Sequence, residues 1–290
     1  MDNGFEKINI QWYPGHMTKA KRMIDENLNY VDAVCEILDA RIPLASSNPD
    51  IGTLAQNKPR LIILNRSDLA DPDITDRWVK YFEKQLCHVL VVDSKSGKGV
   101  NQFVPAVKNV LKDKIAAYEE KGQSGRPLRI MILGIPNVGK STFINKVARR
   151  KAAIAGDKPG VTRGKQWISI DEKIDLLDTP GILWPKFDSQ EVGELLALTN
   201  AIKTEVFDFE TLACNFMLKL KNIYPESIVS RYKIEINEDD TGYDLLQKAA
   251  LKRGMLISKG EADTNRMAIA LLKEYHEGKL GRLSLEVPDE

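Results

Sequence analysis

A glycine-rich stretch near the middle of the chain has the residue types and spacing that bind phosphate groups. Residues 134–141 read GIPNVGKS and match the pattern GxxxxGKS/T at every fixed position. Such glycines let backbone N–H groups approach phosphate oxygens, and the N-terminus of the following helix adds a positive dipole end. The apolar run RIMIL precedes the stretch and STFINKVARR follows it. The sequence therefore predicts a strand, a phosphate loop and a helix, in that order.

Two side chains of this phosphate loop have distinct expected roles in binding a nucleoside triphosphate. Lys140 is expected to neutralise charge on the β- and γ-phosphates, and the Ser141 hydroxyl to ligate Mg²⁺. The alternative is an exposed lysine on a chance glycine turn, which leaves the flanking strand and helix unexplained. The predicted contacts to the nucleotide come from Asn137, Val138, Gly139, Lys140, Ser141 and Thr142.

A four-residue element on the N-terminal side of the loop indicates guanine as the base. Asn65-Arg66-Ser67-Asp68 follows the apolar run Leu61–Leu64 and resembles the NKxD element of GTPases. There an Asp carboxylate accepts hydrogen bonds from N1–H and the exocyclic amine of guanine, a donor pair that adenine lacks. Arg66 stands where GTPases usually have a Lys over the base, and Arg can stack there too. Taken alone, the tetrapeptide fits a helix N-cap equally well.

Two further segments carry the remaining GTPase signatures. Asp93-Ser94-Lys95 resembles the SAK element, in which the Ser94 N–H would reach guanine O6 and Lys95 would flank the base. Asp178-Thr179-Pro180-Gly181 resembles the DxxG element, in which Asp178 would hold Mg²⁺ through water and the Gly181 N–H would meet the γ-phosphate. Thr162 lies between the phosphate loop and DxxG, where a switch threonine that ligates Mg²⁺ would stand.

The order of these elements along the chain is a cyclic rotation of the ordinary one. Ordinary GTPases run from the phosphate loop through the switch threonine and DxxG to NKxD and SAK. Here NRSD and DSK come first, and the phosphate loop, Thr162 and DTPG follow. The polar run Glu119–Pro127 (EEKGQSGRP) is the expected linker that joins the ancestral chain ends. Such a rotation is tolerable where chain ends lie close together at the surface.

In this order and in three further motifs, the chain resembles the circularly permuted bacterial GTPases, and within them the ribosome-biogenesis group. The motifs are QWYPGHM at 11–17, DARIP at 39–43 and DTPGILWPK at 178–186. The resemblance implies a late assembly factor of the large ribosomal subunit, with GTP as substrate and rRNA as partner. It also implies an RNA-binding helical tail and a cytoplasmic protein, and we expect neither a DNA nor a membrane partner.

The residue that positions the attacking water is not evident from the DxxG element. Ile182 stands where many GTPases have a Gln, so we expect slow hydrolysis alone and stimulation by the ribosomal subunit. The resemblance favours His16, in the Pro-Gly-His turn before the helix from Met17, as the residue that orients this water. The alternative is that His16 caps its helix or contacts RNA. The predicted catalytic set is His16, Lys140, Thr162 and Gly181.

Asn137 is a candidate ligand for a monovalent cation. It occupies the position that carries Asn in potassium-activated GTPases, and its side-chain oxygen could hold K⁺ beside the phosphates. A cation there would supply the charge that an arginine finger provides in other GTPases. The alternative is an Asn that merely shapes the turn at Pro136.

Hydrophobic patterning predicts an α/β P-loop GTPase domain over residues 1–185 and a smaller all-α domain over 186–290. Apolar strands alternate with amphipathic stretches in the first part, as is typical of a parallel sheet. Beyond Asp188 helical periodicity takes over. The candidate strands are 33–38, 60–64, 88–92, 128–133 and 174–177, and an amphipathic helix from Met17 precedes them.

Composition is that of an ordinary globular protein and leaves the partner open. Of the 290 residues 43% are hydrophobic, and the formal net charge is +1. The start lacks the pattern of a signal peptide, and no apolar run is long enough for a membrane span. Cys35, Cys87 and Cys214 lie far apart and are expected to be buried, reduced thiols.

The acidic balance of residues 189–290, a net charge of −5, fits poorly with RNA binding. A local basic patch of Lys248, Lys252, Arg253 and Lys259 could still serve, and a solvated helix face is the alternative for it. Two other functions are alternatives to a GTPase that acts on the ribosome. A small-molecule kinase leaves NRSD, DSK and the cyclic order unexplained, whereas a nucleotide-binding scaffold without turnover is excluded only by measuring phosphate release.

Overall fold

The computed structural model describes residues 15–49, 51, 55, 58–148, 166–171, 173–184, 187, 189–202 and 208–289. Only the backbone is described for residues 15–21, 166 and 171. The described residues form two compact units. The sheet unit contains residues 15–184 and 284–289, and the helical unit contains residues 187–283.

The sheet unit is built on six strands in the spatial order β3-β2-β1-β4-β6-β5. All five predicted strands are confirmed, and they pair in parallel. Every residue of β1 is buried, which is typical of a central strand covered on both faces. The strands are β1 Ala33–Asp39, β2 Arg60–Asn65, β3 His88–Val91, β4 Leu128–Leu133, β5 Gln166–Asp171 and β6 Ile174–Asp178.

The sixth strand, β5, was not predicted, and it pairs antiparallel with β6 at the edge of the sheet. In this strand Trp167 and Ser169 are exposed and Ile168 is buried. Half-exposed alternation of this kind is usual at a sheet edge and lacks the continuous apolar run of a buried parallel strand. The sheet is therefore mixed, although the sequence indicated a parallel one.

Six α-helices have both ends within the described part of the sheet unit. On α1 the side chains of Ile24 and Leu28 lie in one buried apolar cluster with Val34 of β1. On α3, Trp78 and Phe82 lie in a second cluster. The helices are α1 Gly15–Leu28, α2 Pro43–Ser46, α3 Pro72–Lys84, α4 Phe103–Val110, α5 Lys112–Glu120 and α6 Lys140–Val147. The predicted linker consequently spans the end of α5, exposed residues 121–126 and the approach to β4.

The helical unit contains five α-helices in its described part, and no strand is assigned there. The helices are α7 Gln190–Leu198, α8 Phe209–Ile223, α9 Pro225–Tyr232, α10 Gly242–Lys252 and α11 Thr264–His276. Helices α8 and α10 approach closely at Gly242, where an added Cβ would lie 2.0 Å from the Cys214 carbonyl oxygen. Cys214 is half-buried, whereas Cys35 and Cys87 are buried as expected, and all three are free thiols.

Ionic contacts inside the helical unit change the interpretation of its basic patch. Glu274 of α11 accepts hydrogen bonds from Arg231 (2.8 and 2.9 Å), Arg253 (2.6 and 3.2 Å) and the Tyr232 hydroxyl (3.0 Å). Lys248 is bound to Asp240 at 2.6 and 2.7 Å. Two of the four proposed basic residues, Lys248 and Arg253, are therefore engaged in contacts that stabilise the unit itself.

The C-terminal segment Ser284–Asp289, hereafter the strap, departs from the predicted domain division. It lies in the sheet unit, whereas the predicted all-α domain extends over residues 186–290. Its residues lack helical periodicity, and the Leu285 N–H donates to the Arg41 carbonyl at 2.8 Å. Among the helices described, none is long and apolar enough to cross a lipid bilayer.

Candidate nucleotide-binding site

The topology brings the predicted nucleotide motifs to one edge of the sheet. Strands β2, β1, β4 and β6 are adjacent and parallel, so the loops at their C-terminal ends leave at the same edge. These loops carry NRSD, DARIP, GIPNVGKS and DTPG, and DSK follows the next parallel strand, β3. In open α/β sheets ligands bind at this edge.

The glycines of the phosphate loop lie where no side chain fits. Gly134 has a φ of 150°, and an added Cβ would lie 2.6 Å from the Ile37 carbonyl oxygen. Gly139 has a φ of 99°, and its Cβ would lie 2.4 Å from the Asn65 side-chain nitrogen. The loop backbone therefore packs directly against β1 and the NRSD element. Such a glycine-rich backbone is suited to binding phosphate through its N–H groups.

Lys140 is a buried ammonium group at the start of α6. Its Nζ donates to the carbonyl oxygens of Gly134 (3.0 Å) and Ile135 (2.9 Å), and the residue is 7% exposed. Burial lowers its pKa to about 8, and the nearby Asp178 carboxylate opposes that shift. A phosphate anion would restore the electrostatic partner that water supplies to an exposed lysine.

Asn65 connects three parts of the site through one side chain. Its amide nitrogen donates to the Val138 carbonyl at 2.7 Å, in the phosphate loop. Its amide oxygen accepts from the Ser94 N–H (3.2 Å) and the Ser94 hydroxyl (2.7 Å), in the DSK segment. The predicted base-binding and phosphate-binding elements therefore hold each other in position.

Arg66 extends from the NRSD element to the phosphate loop. Its Nη2 donates a short hydrogen bond to the Asn137 carbonyl, and its Nε lies 3.8 Å from an Asp39 carboxylate oxygen. Both Arg66 (φ 59°) and Asn137 (φ 58°) have a left-handed backbone conformation. Asp39 belongs to the DARIP motif, and its contact with Arg66 depends on the folded structure, so no local sequence pattern predicts it.

Two carboxylates, Asp68 and Asp93, lie in the segments predicted to recognise the base. Asp68 is exposed, and its pKa is raised by desolvation and by the negative charge of Asp93. The Asp93 carboxylate accepts from the backbone N–H groups of Lys95 (2.8 Å) and Ser96 (3.2 Å). Burial raises the pKa of Asp93, but these hydrogen bonds outweigh it and leave the pKa lowered. Asp93 thus fixes the turn that carries Lys95.

The residues expected to hold Mg²⁺ have suitable chemistry in the described structure. Asp178 ends β6 and is 1% exposed, and its charge acts on Lys140. Ser141 is half-buried in the first turn of α6. No cluster of three or more His, Cys, Asp or Glu occurs in the described part of the chain. One carboxylate and one hydroxyl suit an ion that takes its other ligands from water and phosphate.

The DTPG segment is bound directly to the phosphate loop. The Ile182 N–H donates to the Gly134 carbonyl at 3.3 Å, and the Thr179 hydroxyl donates to the Ile132 carbonyl at 2.7 Å. A Cβ on Gly181 would lie 2.6 Å from the Pro136 nitrogen. Any larger residue at 181 would push the two segments apart.

Two of the predicted catalytic residues, Thr162 and His16, have no described side chain. Thr162 lies outside the described residues. His16 lies in the first turn of α1, which begins at Gly15, two residues earlier than the predicted start at Met17. Its side chain is not among those described.

The chain is similar to known GTPases. Residues 129–229 match the family model described as 50S ribosome-binding GTPase. The match begins in β4, just beyond the predicted linker, and includes the phosphate loop and DTPG. NRSD and DSK lie before the matched residues.

Individual relatives match over nearly the whole length. Ribosome biogenesis GTPase A of Bacillus licheniformis is 42% identical, over 97% of this chain and 99% of that protein. The protein of the same name from Thermotoga maritima is 33% identical, over 97% and 95%. The crystal structure of GNP-bound YlqF from T. maritima aligns with a TM-score of 0.65 at 29% identity, over 94% of this chain and 99% of that one.

Proposed function

This chain belongs to the ribosome biogenesis GTPase A family, and we propose that its GTP hydrolysis times the binding of its helical unit to rRNA of the large ribosomal subunit. GTP would favour the conformation that binds RNA, and GDP would favour release. The proposal places the protein in the cytoplasm, with no membrane or DNA partner.

The main support is the direct contact between the phosphate loop and the segment that leads into the helical unit. Ile182 is hydrogen-bonded to Gly134, and α7 begins at Gln190, eight residues further along the chain. A γ-phosphate that ordered Gly181 would therefore act on backbone that continues into the helical unit. Loops that γ-phosphate orders and hydrolysis releases are a common basis for such switches.

Each site residue has a defined role in this proposal. Lys140 would neutralise phosphate charge, Ser141 and Thr162 would ligate Mg²⁺, and Asp178 would hold the ion through water. The Mg²⁺ ion would neutralise charge that develops on the phosphates during hydrolysis. Asp68 would accept guanine's donor pair, the Ser94 N–H would reach O6, and Lys95 and Arg66 would flank the base.

The attacking water and the monovalent cation need residues of their own. Ile182 has no hydrogen-bonding side chain, and we assign the water to His16, which the first turn of α1 carries. His16→Ala should lower turnover about ten-fold or more at unchanged GTP affinity, and full turnover with and without subunits would contradict this.

We assign K⁺ to the Asn137 side chain. Equal hydrolysis rates in K⁺ and Na⁺ buffers would refute that role.

The helical unit retains exposed cations despite its internal ion pairs. Lys252 and Lys259 are exposed, and they flank a turn in which Leu256 (49%) and Ile257 (50%) are exposed as well. Basic side chains supply most of the affinity for a phosphate backbone. This turn is therefore the part of the helical unit that we expect to contact RNA.

Co-sedimentation with purified large subunits tests the switch. The full chain should sediment with subunits in the presence of a non-hydrolysable GTP analogue, and at least several-fold less with GDP. Lys252→Glu and Lys259→Glu together should weaken the bound fraction, whereas Lys80→Glu, on the exposed surface of α3, should not. Equal binding with GDP and with the analogue would disprove the timing.

Phosphate release with and without subunits tests the hydrolysis step separately. Subunits should accelerate release, because the chain lacks a Gln at position 182. Release that subunits leave unchanged would retain GTP hydrolysis but remove the ribosome as its activator.

A further inference from the structure

The strap Ser284–Asp289 contacts three parts of the sheet unit. The Asp71 N–H donates to the Ser284 hydroxyl (3.1 Å), and the Trp78 indole N–H donates to the Glu286 carbonyl (3.2 Å). The Leu285 N–H donates to the Arg41 carbonyl (2.8 Å). Ser284 and Leu285 are buried. These contacts fix the strap across α3 and the DARIP segment.

Glu286 supplies the N-terminal cap of α2, a helix that has no capping side chain of its own. The N-cap residue is Ile42, which cannot accept a hydrogen bond through its side chain, and Pro43 has no N–H. The Glu286 carboxylate accepts from the N–H groups of Leu44 (2.8 Å) and Ala45 (2.9 Å). The negative charge also suits the positive end of the helix.

Helix α2 in turn holds the end of β1. The Ser46 hydroxyl accepts from the Asp39 N–H at 3.0 Å and donates to the Pro43 carbonyl at 3.1 Å. The Asp39 carboxylate binds the Arg41 guanidinium through two hydrogen bonds of 2.9 and 2.8 Å, and Arg41 is completely buried. The residues of DARIP thus form one compact turn between β1 and the strap.

The same Asp39 carboxylate faces the nucleotide site. Arg66 Nε lies 3.8 Å from Asp39 Oδ2, while Arg66 Nη2 donates to the Asn137 carbonyl in the phosphate loop. An unbroken set of contacts therefore runs from Glu286 through α2, Ser46, Asp39 and Arg66 to the phosphate loop. Each link is a hydrogen bond or an ion pair, and apart from the exposed contact with Leu44 the groups are buried or half-buried.

We propose that Glu286, acting through Asp39 and Arg66, is a positioning residue of the guanine-nucleotide site. The strap holds the DARIP turn, the turn holds the Asp39 carboxylate, and that carboxylate orients Arg66 over the phosphate loop. Loss of the strap would loosen the loop and speed the release of nucleotide. The inference rests on nucleotide binding at this site and does not require the RNA-binding function.

The position of the strap gives this coupling a use. The chain enters the helical unit after DTPGILW and leaves it at residue 283, directly before Ser284. Two connections of the chain therefore lead from the helical unit toward segments of the nucleotide site. One connection follows the γ-phosphate element, and the other leads to the support of Arg66. Force on either connection would reach the phosphate loop through contiguous contacts.

Release of a fluorescent GDP analogue from the full-length chain tests the proposal. Glu286→Gln keeps the size of the side chain but weakens the cap, and it should raise the release rate constant at least about five-fold, the lower range of measured coupling between sites. Asp289→Asn removes the same charge from an exposed residue of the same strap, and it should leave the rate constant unchanged. Because only folded, loaded protein releases nucleotide, reduced stability alone does not alter this readout.

Amide hydrogen exchange of the unaltered protein provides a second test that needs no variant. Coupling between sites is reciprocal, so bound GDP should slow exchange at Leu44, Ala45 and Leu285. Rapid release from Glu286→Gln together with this protection supports the proposal. Wild-type release from Glu286→Gln, equal effects of both substitutions, or unchanged exchange would overturn it. Failure of the unaltered chain to bind GDP would instead contradict the assignment of the nucleotide site.

Discussion

Each of the two units buries a charged side chain, and the two charges have very different surroundings. Glu274 in the helical unit is held by two arginines and a tyrosine hydroxyl. Burial opposes its ionisation, but these hydrogen bonds lower its pKa to about 2. Lys140 in the sheet unit contacts two carbonyl oxygens, and burial lowers its pKa to about 8. One charge is stabilised by the fold, and the other is destabilised by it.

The contrast separates a structural role from a binding role. A buried charge whose partners belong to the same unit ties helices together and leaves no capacity for a ligand. A buried charge that the protein only partly compensates favours an anion from outside, because the anion supplies the missing electrostatic partner. On this basis we predict that Glu274 stabilises the helical unit and that Lys140 binds nucleotide.

The largest expected effect comes from Glu274→Gln. The substitution leaves Arg231 and Arg253 without their charge partner, and breaking such a pair costs about 3 kcal/mol in the free energy of unfolding of the helical unit. Urea denaturation followed by circular dichroism would measure it, while GTP affinity should stay unchanged. Because the folded pKa is depressed, this contribution is present above about pH 4.5 and is lost as the pH falls toward 2.

Glu277→Gln is the matched control for this experiment. Glu277 lies three residues further along the chain at an exposed position and pairs with Lys279. Its substitution should leave the urea midpoint unchanged. If both variants unfold at the same urea concentration as the unaltered protein, the Glu274 network has no stabilising role.

Lys140→Ala should weaken GTP binding without lowering stability, which is the opposite of the effect expected for Glu274→Gln. Loss of two charge-assisted contacts to phosphate, at about 1.5 kcal/mol each, predicts about 100-fold weaker GTP binding. The nucleotide-free protein should be no less stable, because an incompletely compensated buried charge has been removed. Titration calorimetry and urea denaturation measure the two quantities. A variant that binds GTP normally but unfolds more easily would place Lys140 with Glu274 as a structural residue.

Substitution of Asp68, the predicted base-recognition residue, should have the next largest effect on nucleotide binding. Asp68→Asn should weaken GTP binding by about 2 kcal/mol, or about 30-fold, because the amide cannot accept both guanine donors. Xanthosine triphosphate should then bind better than GTP, since its C2 carbonyl needs a donor. Asp76→Asn, exposed on α3, is the control. Unchanged preference for GTP over both ATP and the xanthine nucleotide would remove Asp68 from base recognition.

Sequence reasoning recovered the features that depend on local order. The phosphate loop and the five parallel strands leave continuous patterns in the sequence, and the phosphate-binding role of Lys140 is a prediction from its motif alone. The strap and the partners of Asp39 were missed for a physical reason. The contact between Glu286 and Leu44 joins residues 242 positions apart, and no local pattern predicts it. The edge strand β5 was missed because polar residues interrupt its apolar ones, so it lacks the continuous apolar run of the buried strands.

The difference between Lys140 and Glu274 also predicts that the protein takes up protons when nucleotide binds beside Lys140. In the free protein the pKa of Lys140 is about 8, so about half of these groups are neutral at pH 8. A bound phosphate raises that pKa, and GDP binding at pH 8 should therefore take up about half a proton. Calorimetry in two buffers of different ionisation enthalpy measures this uptake. At pH 7 it should fall to about a tenth of a proton, because Lys140 is already mostly charged.

Nucleotide affinity should decrease as the pH rises through 8, whereas the stability of the free protein should increase between pH 8 and 10.5. The unfolded chain binds the proton over that range and the folded chain does not. Equal heats in the two buffers at pH 8 would mean that Lys140 is fully compensated before nucleotide arrives, which would erase its difference from Glu274.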